Sequence, residues 1–427
     1  MHIKKNFVLG IALATAVAIG YVPSFDAAAA DNKKDPVAEK HKKRKTQLLS
    51  PTVGKKVTRA FEAFSENNDI PAAIEILLDV KKKASKSYDK AYIDRFLGNM
   101  YALQEGQAGK AVELLKAAVA PDILNTAEQA QTLRLLADLQ MQTEKYADAI
   151  ASYDAWMEFT GKEETAVYLR KAQAYYQIGR FSDMIAPIDR AIAVSEKPEK
   201  NAYVLKLSSY YEQKDFKSSV RVLEQLVNIF PEDKRWWAQL GMFYMMVDEY
   251  EKALSTMELA YKQNYLEKPN EIKALAQLYA TNGMPYKSAQ IQEKYLSSGL
   301  LEKDEQSLSV LANTWHSAKE IKKAAEYYQA VAELTGDPSY WRKLANLHLQ
   351  SQAYGDAAVA YEKALELGAK NPGRIYMSLV EAYLYKGDYR KAYASVLKAK
   401  EYPKTKKSAT SWTAYIREKA GRNGVKL

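Results

Sequence analysis

Residues 237–260 read WAQLGMFYMMVDEYEKALSTMELA, and the spacing inside this stretch decides the fold. Leu240, Gly241, Tyr244, Tyr250, Ala253 and Ala260 recur at helical intervals, not at the alternation of a half-buried strand. Two helices in one hairpin approach closely only where the contact positions are small, which is what Ala253 supplies here and Ala149, Ala324 and Ala357 supply elsewhere in the chain. Larger side chains fill the space beside them. The stretch therefore predicts a helical hairpin.

The same spacing returns at Trp341, with Leu344, Ala345, His348, Tyr354, Ala357, Tyr361 and Ala364. It returns again at Tyr376, with Leu379, Tyr383, Tyr389, Ala392 and Ala399. The pattern resembles the tetratricopeptide repeat. Carried along the chain, the register places anchors at Val57, Asp94, Leu133, Tyr168, Tyr203, Trp237, Ile272, Leu308, Trp341 and Tyr376. The Asp94 unit fits the register least well, because EGQAG at 105–109 stretches its turn. The expected fold class is all-α: a superhelical solenoid of about ten helix-turn-helix repeats over residues 51–405. Each repeat buries its apolar face on its neighbours, so stability accumulates along the array.

Turns are expected at Gly179, Lys214-Asp215, Gly283 and Gly387-Asp388, where chain reversal favours residues that tolerate a left-handed backbone. Pro231, Pro338, Pro372 and Pro403 follow the second helix of their units and are expected to stop it. Residues 406–427 are expected to form a capping helix and tail. Within them SATSWTAYIREKA, 408–420, has Trp412, Tyr415 and Ile416 at helical spacing, with Gly421 as the expected end.

The amino terminus predicts export. Lys4 and Lys5 precede an apolar run from Phe7 to Val22, and Ala28 and Ala30 provide an A-x-A cleavage site. Residues 1–30 read as a signal peptide removed before Asp31. The other reading, an uncleaved anchor, is opposed by Pro23 and by a run shorter than the ~20 residues a spanning helix needs. The chain has no cysteine, which excludes a lipobox, disulfides and thiol chemistry. A signal peptide on such a solenoid points to a periplasmic protein that does not span the membrane once cleaved.

Residues 31–50, DNKKDPVAEKHKKRKTQLLS, form a basic leader that is expected to be flexible. His41–Lys45 resembles a nucleic-acid or anionic-lipid patch, but the favoured reading is a solvated tail that keeps the terminus soluble. The formal charge of +10 becomes +9 without Lys4, Lys5 and Asp26. For an exported chain this favours acidic protein or membrane surfaces over nucleic acid.

Nothing in the sequence suggests an enzyme. No HExxH, GxSxG, CxxC pair or phosphate loop is present, and His41, His316 and His348 are the only histidines after residue 30. His348 takes the place of a repeat tyrosine, which favours core packing; His316 follows Trp315 and is read as facing the groove. Neither belongs to a metal-ligand set. No cofactor is expected.

The binding surface of such an array is its concave face, lined by the first helix of each repeat. Register places Arg95/Asn99, Arg134/Asp138, Lys273/Gln277 and Arg342/Asn346 there as i, i+4 pairs. A cation beside an amide suits a carboxylate or an exposed peptide backbone, and similar pairs grip peptide carboxylates in some tetratricopeptide chaperone adaptors. Arg134 departs from this, since Asp138 is expected to occupy it. In the middle of the groove Tyr176, Tyr211, Met242, Met245 and Met246 form an apolar, adaptable patch. Partner contact and packing between adjacent helices are both open for these five.

Three segments carry a narrower resemblance: LAQLYATNGMPYKSAQIQEKYLSSGLLEK (275–303), LANTWHSAKEIKKAAEYY (311–328) and the stretch from Asn371 to Lys419. They are similar to the periplasmic tetratricopeptide proteins associated with TonB energy-transduction clusters. NGMPYKSA and the terminal WTAYIREK are the distinctive parts. The resemblance implies a non-enzymatic scaffold near TonB, ExbB and ExbD that serves energised uptake of iron carriers. The alternative is an adaptor for envelope or polysaccharide assembly using the same groove.

Overall fold

A computed structural model describes residues 46–66 and 68–427. The expected signal peptide, its expected cleavage site and the expected leader as far as Lys45 lie outside the described residues. Among the described residues the chain forms helices and no strand. They divide into two compact units, one holding residues up to 143 with 151–162, the other 144–150 with 163–427.

The first unit contains α1 (Pro51–Ser65), α2 (Ile70–Lys83), α3 (Ser87–Ala102), α4 (Ala108–Val119), α5 (Thr126–Gln142) and most of α6 (Tyr146–Thr160). Its core includes Leu77, Ile93, Leu97, Leu115 and Tyr153, all fully buried. Asp94, the anomalous anchor, is buried in α3 and forms an ion pair of 2.5 Å with Lys81 of α2. The helix contact that an aromatic anchor would make is thus held by charge. Because Asp94 is largely withdrawn from water, leaving it unpaired is costly. Lys81→Met should therefore destabilise the unit by about 2 kcal/mol in urea unfolding, with Asp94→Leu restoring part of the loss in the double variant. Equal stability of Lys81→Met and the parent would show that the pair holds nothing.

The second unit continues with α7 (Thr165–Gln177) and α8 (Ile185–Val194), joined through a 3-10 turn at Phe181–Met184. Six more hairpin pairs follow in the same order: α9 (Lys200–Glu212) with α10 (Phe216–Ile229), α11 (Lys234–Met246) with α12 (Tyr250–Lys262), and α13 (Pro269–Thr281) with α14 (Pro285–Ser297). Then come α15 (Glu305–Ser317) with α16 (Ile321–Thr335), α17 (Pro338–Gln350) with α18 (Tyr354–Glu366), and α19 (Pro372–Lys386) with α20 (Tyr389–Lys400). A single helix, α21 (Lys406–Arg422), closes the chain. Each of the ten expected anchors falls on the first helix of a pair.

The small positions do what the spacing requires. Ala253, Ala324, Ala357 and Ala392 on second helices have no exposed surface. At Gly241 on α11, a Cβ would lie 2.4 Å from the Met257 side chain of α12, so only glycine permits this approach. The reversal inside each pair is made by one residue with positive φ: Asn68, Gly106, Glu144, Gly179, Lys214, Asp248, Gly283, Lys319, Gln352 and Gly387 in turn. Six of these ten turns thus hold a non-glycine residue, four of them neither Asn nor Asp, in a left-handed conformation that the packed helices must sustain. Asp69, Asp215 and Asp388 follow directly and cap the second helix, each accepting a backbone N–H at 2.9–3.0 Å.

Three expectations about chain ends are corrected. Pro338 and Pro372 do not merely stop the preceding helix; each is the first residue of α17 or α19, where its missing N–H is an orphan in any case and its fixed φ suits the helix. Gly421 does not end the capping helix, which runs to Arg422 and meets its left-handed residue at Gly424. The buried face of α21 is also made of smaller residues than expected. Ala409, Thr413, Ile416 and Ala420 pack inward, whereas Trp412 is half-buried and Tyr415 is exposed. Just before α21 the chain passes close to Gly373, where a Cβ would lie 2.6 Å from Thr405 Oγ1.

Candidate interaction surface

First helices of the repeats carry all the proposed groove residues, but their neighbours differ from the simple pairing that register suggests. Arg95 is half-buried beside Tyr92, with its guanidinium 5.7 Å from the ring centre, and donates to Gln131 Oε1 of α5 at 3.1 Å. It is held by the following repeat, and Asn99 stands half-buried on α3. Arg134 and Asp138 form the expected ion pair at 3.4 Å, with Arg134 also lying over Trp156. Lys273 and Gln277 are exposed on α13. Arg342 and Asn346 are exposed on α17, but Asn346 Oδ1 accepts the Tyr361 hydroxyl at 2.5 Å.

That last contact belongs to a series. Tyr153 donates to Asp138, Tyr328 to Asn313 and Tyr361 to Asn346, each from the second helix to the residue fifteen positions earlier on the first. A second series crosses between repeats: Tyr244 donates to Glu224 at 2.7 Å, and Tyr383 to Glu362. The polar residues on the first helices are thus partly structural, which register alone does not reveal. A residue type and a face are local properties, whereas these partners lie fifteen or more positions away.

The apolar patch separates into two. Tyr176 meets Phe181 edge-on, with ring centres 5.5 Å apart, in a small cluster around Ala172, Met184 and Ile188. Tyr211 lies 6.2 Å from Phe216 and 6.0 Å from Phe243, and packs with Met242 and Met245 on the larger core of the second unit. Met246 is exposed. Four of the five are therefore half-buried in two separate clusters, and Met246 alone of the five is exposed. His316 is exposed and His348 half-buried, and the described residues hold no group of three His, Cys, Asp or Glu that could bind a metal. No described helix is long and apolar enough to cross a membrane.

Tyrosine burial gives the surface a pH response. Burial, then the charge of Glu258, pushes Tyr279 up to about 12. Tyr244 and Tyr383 are also raised, first by burial and then by their bonds to Glu224 and Glu362. Unfolded tyrosine loses its proton near pH 10, so the native state keeps protons that the unfolded state releases. This stabilisation is complete below pH ~10 and is lost as pH rises from about 10 toward 12. Melting temperature should fall steeply across that window, and less steeply in Tyr244→Phe/Tyr279→Phe/Tyr383→Phe. Parallel pH profiles for the two proteins would show that these hydroxyls are not the cause.

A tetratricopeptide-repeat family model matches residues 100–164 and 317–374. Those two stretches are similar to the tetratricopeptide repeat. Proteins with these arrays generally mediate protein–protein interaction, and their fold is typically a non-catalytic scaffold. Among solved structures, a tetratricopeptide repeat protein from Parabacteroides merdae is similar at 15% identity, covering 62% of this chain and 99% of that one, with a TM-score of 0.35. A chain from a complex bound to HypK-THB is similar at 15% identity, covering 91% of this chain and 63% of that one, with a TM-score of 0.46. MamA from Desulfovibrio magneticus is similar at 16% identity over 41% of this chain and 94% of that one, with a TM-score of 0.32. No protein of curated function matches the sequence.

One part of the tetratricopeptide surface escaped the sequence reading. Leu384 and Tyr385 hold, in the last repeat, the register positions that Met245 and Met246 hold at the centre of the array. They line an open groove of about 450 Å³ with Tyr389, Trp412, Tyr415 and Lys419. The register could have found the first two; the other wall depends on how α21 docks.

Proposed function

We propose that the chain is a non-enzymatic periplasmic scaffold that assists TonB, ExbB and ExbD in the energised uptake of iron carriers across an outer membrane. The scaffold part is carried by one observation: repeated helical hairpins present first-helix faces whose residues suit protein contact. Export rests on the Lys4/Lys5, apolar-run and Ala28/Ala30 pattern, and the TonB association on the resemblance of segments 275–303, 311–328 and 371–419.

Crosslinking of intact envelopes, followed by recovery of the tagged chain, tests the reading. TonB or ExbD is expected among the covalent partners. Recovery of polysaccharide-assembly proteins in their place would overturn the TonB assignment and favour the envelope adaptor. A mass of the periplasmic protein that begins at Asp31 is expected, and an intact Met1 would contradict export by cleavage after Ala30.

A further inference from the structure

Charge is unevenly distributed along the chain. Residues 46–385 hold 41 Lys and Arg against 45 Asp and Glu, a formal −4. Residues 386–427 hold 12 against 3, a formal +9. The three acids of this end are already engaged: Asp388 caps α20, Glu401 pairs with Lys398 at 3.2 Å, and Glu418 pairs with Arg422. The terminal hairpin and capping helix therefore present a surplus of positive charge, and the groove between α19 and α21 lies within it.

Its walls are unusually aromatic for an exposed surface. Tyr385 is 61% exposed and Tyr415 43%. Both are held in place: Tyr385 stacks on Tyr354 with centres 5.2 Å apart, and Tyr415 meets Trp412 edge-on at 5.7 Å. Each ring is thus fixed by a neighbour while keeping surface open, which lowers the ordering cost of binding. Lys419 lies 6.0 Å from the centre of the Tyr415 ring, so a cation stands at the edge of an apolar recess.

We propose that this groove binds an extended acidic peptide of a protein partner. One aromatic or aliphatic side chain of the peptide occupies the recess against Leu384, Tyr385 and Tyr415, while flanking carboxylates meet Lys386 and Lys419. The recess favours a peptide over a bilayer, because a flat surface does not insert apolar mass between two helices. The inference rests on the scaffold reading but not on the identity of the partner.

The test uses the full chain and a fluorescein-labelled peptide of about twelve residues, Asp and Glu with one Phe and one Leu, read by anisotropy. Saturable binding that weakens with added salt is expected. Tyr385→Ser/Tyr415→Ser should weaken it by about tenfold or more with helical content unchanged. Lys386→Ala/Lys419→Ala should reduce the salt dependence. Equal affinity in all variants would overturn the proposal. So would Tyr385-dependent binding to phosphatidylglycerol vesicles without binding to the peptide, which would make the surface a lipid contact. If peptide binding fails while envelope crosslinking still recovers a protein partner, the scaffold reading stands and this groove is not its site.

Discussion

Deleting residues 406–427 should leave a chain that melts at a lower temperature and aggregates. Val396 and Ala399 of α20 have no exposed surface in the intact protein, and α21 packs Ala409, Ile416 and Ala420 against the end of the array. Removing the helix returns an apolar face to water, and burial of Ile416 alone is worth roughly 1.5–3 kcal/mol. A terminal repeat without a polar-backed cap is the weakest point of a solenoid, so the loss is expected to spread from α20 into α19. Hydrogen exchange should show it there first. An unchanged melting temperature and a soluble product would show that α21 is an accessory helix and not a cap.

Enlarging the inter-helix contact should be comparably damaging. Ala253 and Ala357 are fully buried on α12 and α18, and the Gly241 approach shows how little room the hairpin leaves. Ala253→Leu and Ala357→Leu should each cost on the order of 1–3 kcal/mol through overpacking. Lys262→Ala is the control, since Lys262 is 67% exposed and reaches only Glu258, at 3.7 Å. Coincident melts of the three variants would mean that these alanines do not set the helix spacing.

The hairpins were legible because their determinants are local. Period, small contact residues and turn chemistry are all contained within about thirty-five positions, and the stretched turn of the Asp94 unit was visible as an exception. The ion pair that Asp94 makes was not, because Lys81 belongs to another helix. The groove was legible as a face but not as a set of available groups. Arg95 is taken by Gln131 and Asn346 by Tyr361, so two of the proposed clamps are partly committed within the protein. The middle patch reads similarly: Tyr211, Met242 and Met245 pack on the core, leaving Met246 as its exposed member. The terminal helix was visible in outline, but its inward face was misjudged. Hydrophobic spacing favoured Trp412 and Tyr415, while the side chains that α21 buries completely are Ala409, Ile416 and Ala420.

The central claim is that this array holds protein partners in the envelope through its first-helix face and its terminal groove. Its most direct test is a photo-crosslinking amino acid placed singly at Met246, Tyr385 or Lys262 in otherwise unaltered protein, irradiated in intact cells and analysed by mass spectrometry. Adducts with TonB or ExbD at Met246 or Tyr385, and none at Lys262, are the predicted result. Adducts with neither protein at Met246 and Tyr385, or the same adducts at Lys262, would contradict the account.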